Sequence, residues 1–394
     1  MIGNKTMAVK APKELLLPMN VPHKLLMGPG PSNVPPRILA AGALPILGHM
    51  HPETLKIMDD IKKGLQYVFQ TKNELTFAVS GSGHCGMEAA MMNLIEPGDV
   101  ILVASNGIWG ERIADLGKRL GANVKVLQNP TGVAFSLRQI EQSIHVYKPV
   151  LFAITHGESS SGVLQPLQGI GSLCHRNNCL FLVDSVASLG GVPMFVDDWG
   201  IDVIYSGSQK VLGAPPGTAP ISFGERARSK YLSKKTRAPS FYLDLNHLAN
   251  YWGCDAGPRR YHHTCPVTNL YQLREGLAMV AEEGLEECWK RHKAAAQSLY
   301  VGLEKLGLQL FVKDEATRLP TVSAILVPPG MDWKKLVMYV MQKYRIEISG
   351  GLGPSAGKVW RIGLMGYNAN QDNVKRVLRV LEEGLNHCRT TSRL

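Results

Sequence analysis

Between residues 75 and 223, short β-branched or apolar runs alternate with helical stretches, and this alternation restricts the chain more than any other feature. It is the pattern of βα units laid side by side in a mainly parallel sheet, an α/β fold. Seven strands are predicted, at Leu75–Val79, Val100–Ala104, Asn123–Leu127, Val150–Thr155, Leu180–Asp184, Asp202–Ser206 and Thr218–Phe223, each bounded by Gly, Pro, Asn or Asp. Between the first two, residues 86–96 set Met87, Ala90, Met91, Leu94 and Ile95 on one helical stripe, which reads as core, before Pro97-Gly98-Asp99 stops the helix.

Beyond residue 266 the period changes. Leu285, Trp289, Ala296, Leu299, Leu303 and Leu306 mark a long connecting helix with Gly284 as a break. A smaller α+β unit follows, with strands at residues 321–327, 345–349 and 359–364 and a final amphipathic helix bearing Val374, Val377, Leu378, Leu381 and Leu385. At roughly 150 residues per domain, 394 residues make two or three domains. The expected division is an extended N-terminal arm at 1–30, a large domain at 31–284 and a small C-terminal domain at 285–394.

Charge narrows the partners. Lys and Arg number 43 against 32 Asp and Glu, a formal +11 that suits acidic small-molecule ligands. The basic residues are dispersed, without a Lys/Arg run, an RNP1 pattern or paired Cys/His zinc spacing, so no nucleic-acid partner is expected. No run approaches the eighteen or so apolar residues of a membrane span, and no membrane association is expected. Seven scattered cysteines with no signal peptide point to a reducing compartment. The chain stops at Ser392-Arg393-Leu394, a variant of the Ser-Lys-Leu tripeptide read by the peroxisomal import receptor, after a polar stretch, Arg389-Thr390-Thr391, expected to follow the last helix.

Three segments carry candidate chemistry. Gly81-Ser82-Gly83-His84-Cys85-Gly86 lies between a strand and a helix, where outward N–H groups and the helix dipole bind an anion. A dinucleotide fold asks for an acidic residue about twenty positions on, and the chain has Asn106, so a terminal phosphate fits better than NAD. Ser206-Gly207-Ser208-Gln209-Lys210 puts a lysine at a strand's carboxyl edge among apolar and glycine flanks, where a partly dry pocket makes an amine a nucleophile or base. The strand from Leu180 ends in Asp184, a carboxylate that is either a helix N-cap or the partner of a cation. His49, His51, His262 and His263 lack a third ligand at suitable spacing, and no metal is expected.

Ser-Gly-Ser-Gly-His at 80–84, Asn-Gly-Ile-Trp-Gly at 106–110, Thr-His-Gly-Glu-Ser-Ser at 155–160, Val-Asp-Ser-Val-Ala-Ser-Leu-Gly-Gly at 183–191 and Ser-Gly-Ser-Gln-Lys at 206–210 resemble the alanine–glyoxylate (serine–pyruvate) aminotransferases. These are class V enzymes of fold type I that depend on pyridoxal 5′-phosphate. The likeness runs in family order from Gly28-Pro29-Gly30-Pro31 to Trp360-Arg361-Ile362-Gly363. It implies a Schiff base at Lys210, a pyridinium partner in Asp184, ring contacts from Trp109 and Val186, and Ser159 near the ring hydroxyl. It further implies phosphate contacts from Ser82, Gly83, His84 and Gln209, joined by Tyr261 and Thr264 of a second subunit, hence a homodimer. Arg361 takes the substrate carboxylate. The expected reaction is ping-pong transfer from alanine or serine to glyoxylate, in a peroxisome. A 3-hydroxykynurenine transaminase is the alternative, because the Leu47–His51 segment near the family's substrate entrance leaves the pocket's width open.

Overall fold

The computed structural model describes residues 9–391, and Ser392-Arg393-Leu394 lies outside the described residues. Each predicted strand of the alternating region is present, with no end moved by more than one position, and Leu180–Asp184 and Thr218–Phe223 keep both ends as predicted. Across the sheet they run Leu75–Ser80, Thr218–Phe223, Val203–Tyr205, Leu180–Asp184, Leu151–Thr155, Val100–Ser105, Asn123–Gln128. All pairings are parallel except the two made by Thr218–Phe223, which runs against both neighbours. Because that strand alone is reversed, the carboxyl ends of the other six share one edge of the sheet.

Near-continuous apolar strands mark a sheet covered on both faces. Phe152 and Phe181 stack at 6.0 Å on adjacent strands, and both are fully buried with Phe77, Val103 and Leu182. The helix after the first strand is Gly83–Leu94, three residues earlier than expected, so the phosphate-type loop is itself the first helical turn. Met87 and Met91 on it are buried.

Pro35 and Pro36 start the helix Pro36–Gly42, since proline fits the first helical position. At Gly284 the backbone turns with φ +83, separating the helices Val267–Glu283 and Leu285–Lys305. A second apolar cluster then forms around Leu299, Leu336, Trp360, Ile362, Val377 and Leu381, and Met27 packs into it. Its sheet is Val322–Leu326, Val359–Gly363 and Ser349–Gly350, all antiparallel. The single strand expected at 345–349 is divided. Ile346–Glu347 pairs in parallel with Leu25–Leu26 from the N-terminal segment, and only Ser349–Gly350 joins Val359–Gly363. The last helix runs Gln371–Thr391, so Arg389-Thr390-Thr391 forms its final turn and does not follow it. That turn is continuous with an amphipathic repeat that needs no stop signal before it. No described helix is long and apolar enough to cross a membrane.

Candidate active site

Five strands deliver loops to the shared carboxyl edge. Gly81–His84 follows Leu75–Ser80, Asn106–Trp109 follows Val100–Ser105, and Gly157–Ser159 follows Leu151–Thr155. Asp184–Val186 closes the fourth strand, and Ser206–Lys210 follows the fifth. The chain leaves Leu75–Ser80 at one edge of the sheet and re-enters at Val100–Ser105 across it, which opens a crevice between the loops, the usual place for a ligand in such sheets. Ser82, Gly83, His84, Trp109, Ser159, Asp184, Val186, Gln209 and Lys210 line one cavity of about 180 Å³ there. Every cofactor contact expected within one chain is therefore brought together.

Asp184 is almost fully buried, and burial pushes its carboxyl up to about 6. The Val186 N–H and the Tyr205 hydroxyl donate to its two oxygens, both at 2.9 Å, and oppose that rise. The Lys210 amine is pushed down to about 8, first by burial and then by the Arg361 guanidinium, with Asp184 and Glu347 acting the other way. Its Nζ donates to the Pro29 carbonyl at 2.5 Å. At the Gly83 end, the helix N-terminus has no side-chain cap, so its first N–H groups face the cavity mouth beside the exposed Ser82 and His84.

Trp109 is fixed twice. Its indole N–H donates to Ser159 Oγ at 2.8 Å, and its backbone N–H to Glu158 Oε2 at 3.2 Å. Glu158 also accepts from Ser160 N at 2.9 Å and Ser160 Oγ at 2.6 Å, while burial pushes its carboxyl up to about 7. Sequence patterning did not single out Tyr205, Glu158 or Glu347. Tyr205 is found only through register, because it pairs directly with Asp184 across two adjacent strands. For Glu158 the one signal is its place before Ser159 in the motif already quoted.

Two sets of residues lie apart from this cavity. Arg361 is buried on Val359–Gly363 and faces a neighbouring cavity of about 500 Å³, with Nε donating to the Gly350 carbonyl at 2.8 Å and Nη1 to the Ser159 carbonyl at 3.1 Å. Tyr261 and Thr264 are exposed, 3.3 Å from each other, and line no part of their own chain's cavity. Beside them runs a directed chain. His262 Nε2 sits 3.1 Å from the Phe241 carbonyl, which only accepts, so neutral His262 donates from Nε2 and accepts a hydrogen bond at Nδ1 from His263 Nδ1–H, and His263 Nε2 accepts one from the Ser80 hydroxyl at 2.7 Å. No group of three or more His, Cys, Asp or Glu that could hold a metal occurs among the described residues.

Pyridoxal 5′-phosphate fits this donor set. A buried carboxylate needs a cation, as a protonated ring nitrogen would be, and an amine lines the same cavity. The indole and isopropyl groups of Trp109 and Val186 are flat and apolar walls, and an uncapped helix start suits a phosphate. The Gln209 Oε1 is buried with no hydrogen-bond partner, and a flip of that amide would bring its N–H donors to the same place for a phosphate oxygen to accept.

Known proteins resemble the chain over nearly its whole length. The family model described as aminotransferase class-V matches residues 37–377. A relative in Callithrix jacchus, named alanine–glyoxylate aminotransferase, is 59% identical over 98% of this chain and 94% of its own. One of the same name in Drosophila melanogaster is 48% identical over 96% of both. The crystal structure of an alanine–glyoxylate aminotransferase from Nostoc sp. superposes with a TM-score of 0.92 at 43% identity, covering 96% of this chain and all of that one. A ureidoglycine–glyoxylate aminotransferase structure from Bacillus subtilis gives 0.91 at 37% identity, covering 94% of this chain and 95% of that one.

Proposed function

The chain belongs to the class-V aminotransferases, and from that premise we propose that it carries the amino group of alanine to glyoxylate in a ping-pong cycle, with serine as a second donor. Relatives from 48% to 59% identical are named for alanine and glyoxylate, which places 3-hydroxykynurenine behind them as a donor. Pyridoxal 5′-phosphate is the cofactor, and when bound it supplies a carbonyl carbon for amines to condense with and a pyridine ring that takes up the electron pair released at the donor's α-carbon.

The chain's own groups do the rest. Lys210 Nζ, part neutral near pH 8, is the nucleophile, and once freed it lifts the proton from the donor's α-carbon. Asp184 holds a proton on the ring nitrogen, its carboxylate oriented by Tyr205 and the Val186 N–H. Trp109 and Val186 flank the ring, and Ser159 lies near its hydroxyl. Ser82, Gly83, His84 and Gln209 hold the phosphate. The partner subunit's Tyr261 and Thr264 complete that grip, a role supported by their exposure outside their own cavity, and the working unit is then a homodimer. Arg361 keeps Nη2 free of any hydrogen bond among the described residues and offers it to the substrate carboxylate.

Among the described residues, the two larger of three apolar clusters part near Gly284, with the third, around Val211, Cys288 and Met365, bridging them, and that partition supports a large domain at 31–284 and a small one at 285–394. The Ser392-Arg393-Leu394 ending supports import into peroxisomes.

The observation that carries the reading is a lysine amine and a buried carboxylate lining one small cavity beside a helix start. The test is to add alanine, serine and 3-hydroxykynurenine separately to the cofactor-loaded protein and follow its visible absorbance. Alanine is expected to abolish the band and glyoxylate to restore it. A protein that responds to 3-hydroxykynurenine alone would refute the proposal.

A further inference from the structure

We propose that Glu347 sets the substrate class at Arg361, admitting amino and 2-oxo acids with one carboxylate and turning away dicarboxylic ones. The proposal rests on the transamination reading and goes beyond it by assigning selectivity to a residue outside the cofactor cavity.

Backbone register places the two side chains together. Ser349 pairs directly with Arg361 across the antiparallel strands, so both side chains leave the same face. Along residues 346–349 the pattern alternates, with Ile346 and Ile348 buried on one side and Glu347 and Ser349 partly exposed on the other. Glu347 is therefore a diagonal neighbour of Arg361. Ser349 Oγ donates to Glu347 Oε1 at 3.3 Å, which holds the carboxylate on that face.

The same carboxylate borders the path to Lys210. A β-carbon added to Gly28 would lie 2.7 Å from Glu347 Oε1, and one added to Gly30 would collide with the Lys210 side chain. The Gly28-Pro29-Gly30 stretch thus passes between the carboxylate and the amine, and only glycine allows both approaches. Consistently, the charge of Glu347 acts to raise the pKa of both Lys210 and Arg361.

Glu347 does not neutralise Arg361 by contact. No ion pair within 4.0 Å joins them among the described residues. Both line the cavity of about 500 Å³, whose other side chains include Trp333, Val337, Met338 and Gln342. Among the described residues, no second cationic side chain lines it. A substrate's α-carboxylate can meet the free Nη2 of Arg361. A second carboxylate in that space would find no cation left and Glu347 nearby, and like charges brought together at a partly dry site weaken binding steeply.

The test compares succinate with succinamate, which have nearly the same shape and differ by one charge, as ligands of the cofactor-loaded protein in titration calorimetry. The wild-type protein is expected to favour succinamate by about tenfold or more, and Glu347→Gln to bring the two affinities to within about threefold of each other. Glu347→Ala provides the same comparison if the glutamine variant folds poorly. In half-reactions, the ratio of kcat/KM for glutamate to that for alanine should rise by a similar factor in either variant. Equal affinities in the wild-type protein, or a preference that survives both substitutions, would overturn the assignment. A protein that binds these acids as expected but never converts alanine would sink the transamination reading alone, since the affinity ratio is read without turnover.

Discussion

Lys210 and Asp184 show how a fold prepares two opposite charges for work without letting them cancel. Each is drawn toward its neutral form, the amine down to about 8 and the carboxyl up to about 6, and burial is the largest cause in both cases. In protein stripped of cofactor, the rate of reconstitution with pyridoxal 5′-phosphate depends on neutral amine. It should rise about tenfold per pH unit in acid solution and level off above pH 8 or so. Stopped-flow absorbance across that range checks the sign, because an unshifted lysine would keep accelerating past pH 9 or so. Lys210→Ala should lower kcat by at least about a hundredfold to ten-thousandfold while near-UV circular dichroism keeps its folded signature. Sequence reasoning reached both residues because each is an ionisable group stranded among apolar neighbours. It did not reach Tyr205 or Glu347, whose importance comes from a residue on an adjacent strand, directly opposite for Tyr205 and diagonal for Glu347, and not from their own flanks.

At the level of elements, the helix Ile108–Arg119 depends on a neighbour for its start. Gly107, at its N-cap, has no side chain to offer, and the first N–H groups are met from the Gly157–Ser161 loop. Ser160 Oγ accepts from Ile108 N at 3.3 Å and Glu158 from Trp109 N. The loop also reaches the second cluster, since the Ser160 carbonyl accepts from Ser355 Oγ at 2.6 Å and the Ser159 carbonyl from Arg361. Gly107 is extended, so alanine is tolerated by the backbone, but a β-carbon there would run into the Glu158 carboxyl. Gly107→Ala should therefore cost about 1–3 kcal/mol by overpacking, seen as a lower urea midpoint, and should weaken cofactor retention because Trp109 moves with the cap. An unchanged midpoint with normal retention would contradict the capping account. Element types were readable from period and punctuation. Some ends were not: Gly83–Leu94 starts inside the glycine loop, where the Ser82 carbonyl accepts from Cys85 N, and the division of residues 345–349 follows from pairing with the distant Leu25–Leu26.

On the scale of the whole molecule, the proposed active site is incomplete within one chain. Its ring and amine contacts lie in one cavity, while Tyr261 and Thr264 stand exposed. The likeness to a known family pointed to a second subunit there, and no pattern of period or charge in this sequence does so, because an interface leaves no periodicity of its own. Complementation tests the sharing directly. Lys210→Ala protomers lack the amine of their own cavity but keep Tyr261 and Thr264, whereas a Tyr261→Ala, Thr264→Ala protomer has the opposite deficit. Each parent dimer should be nearly inactive at low cofactor concentration. After subunit exchange, about half of all dimers are hybrids with one intact cavity of two, so about a quarter of wild-type activity should return. If the two residues served their own chain's cavity, every hybrid site would lack either the amine or the phosphate grip, and mixing would restore nothing.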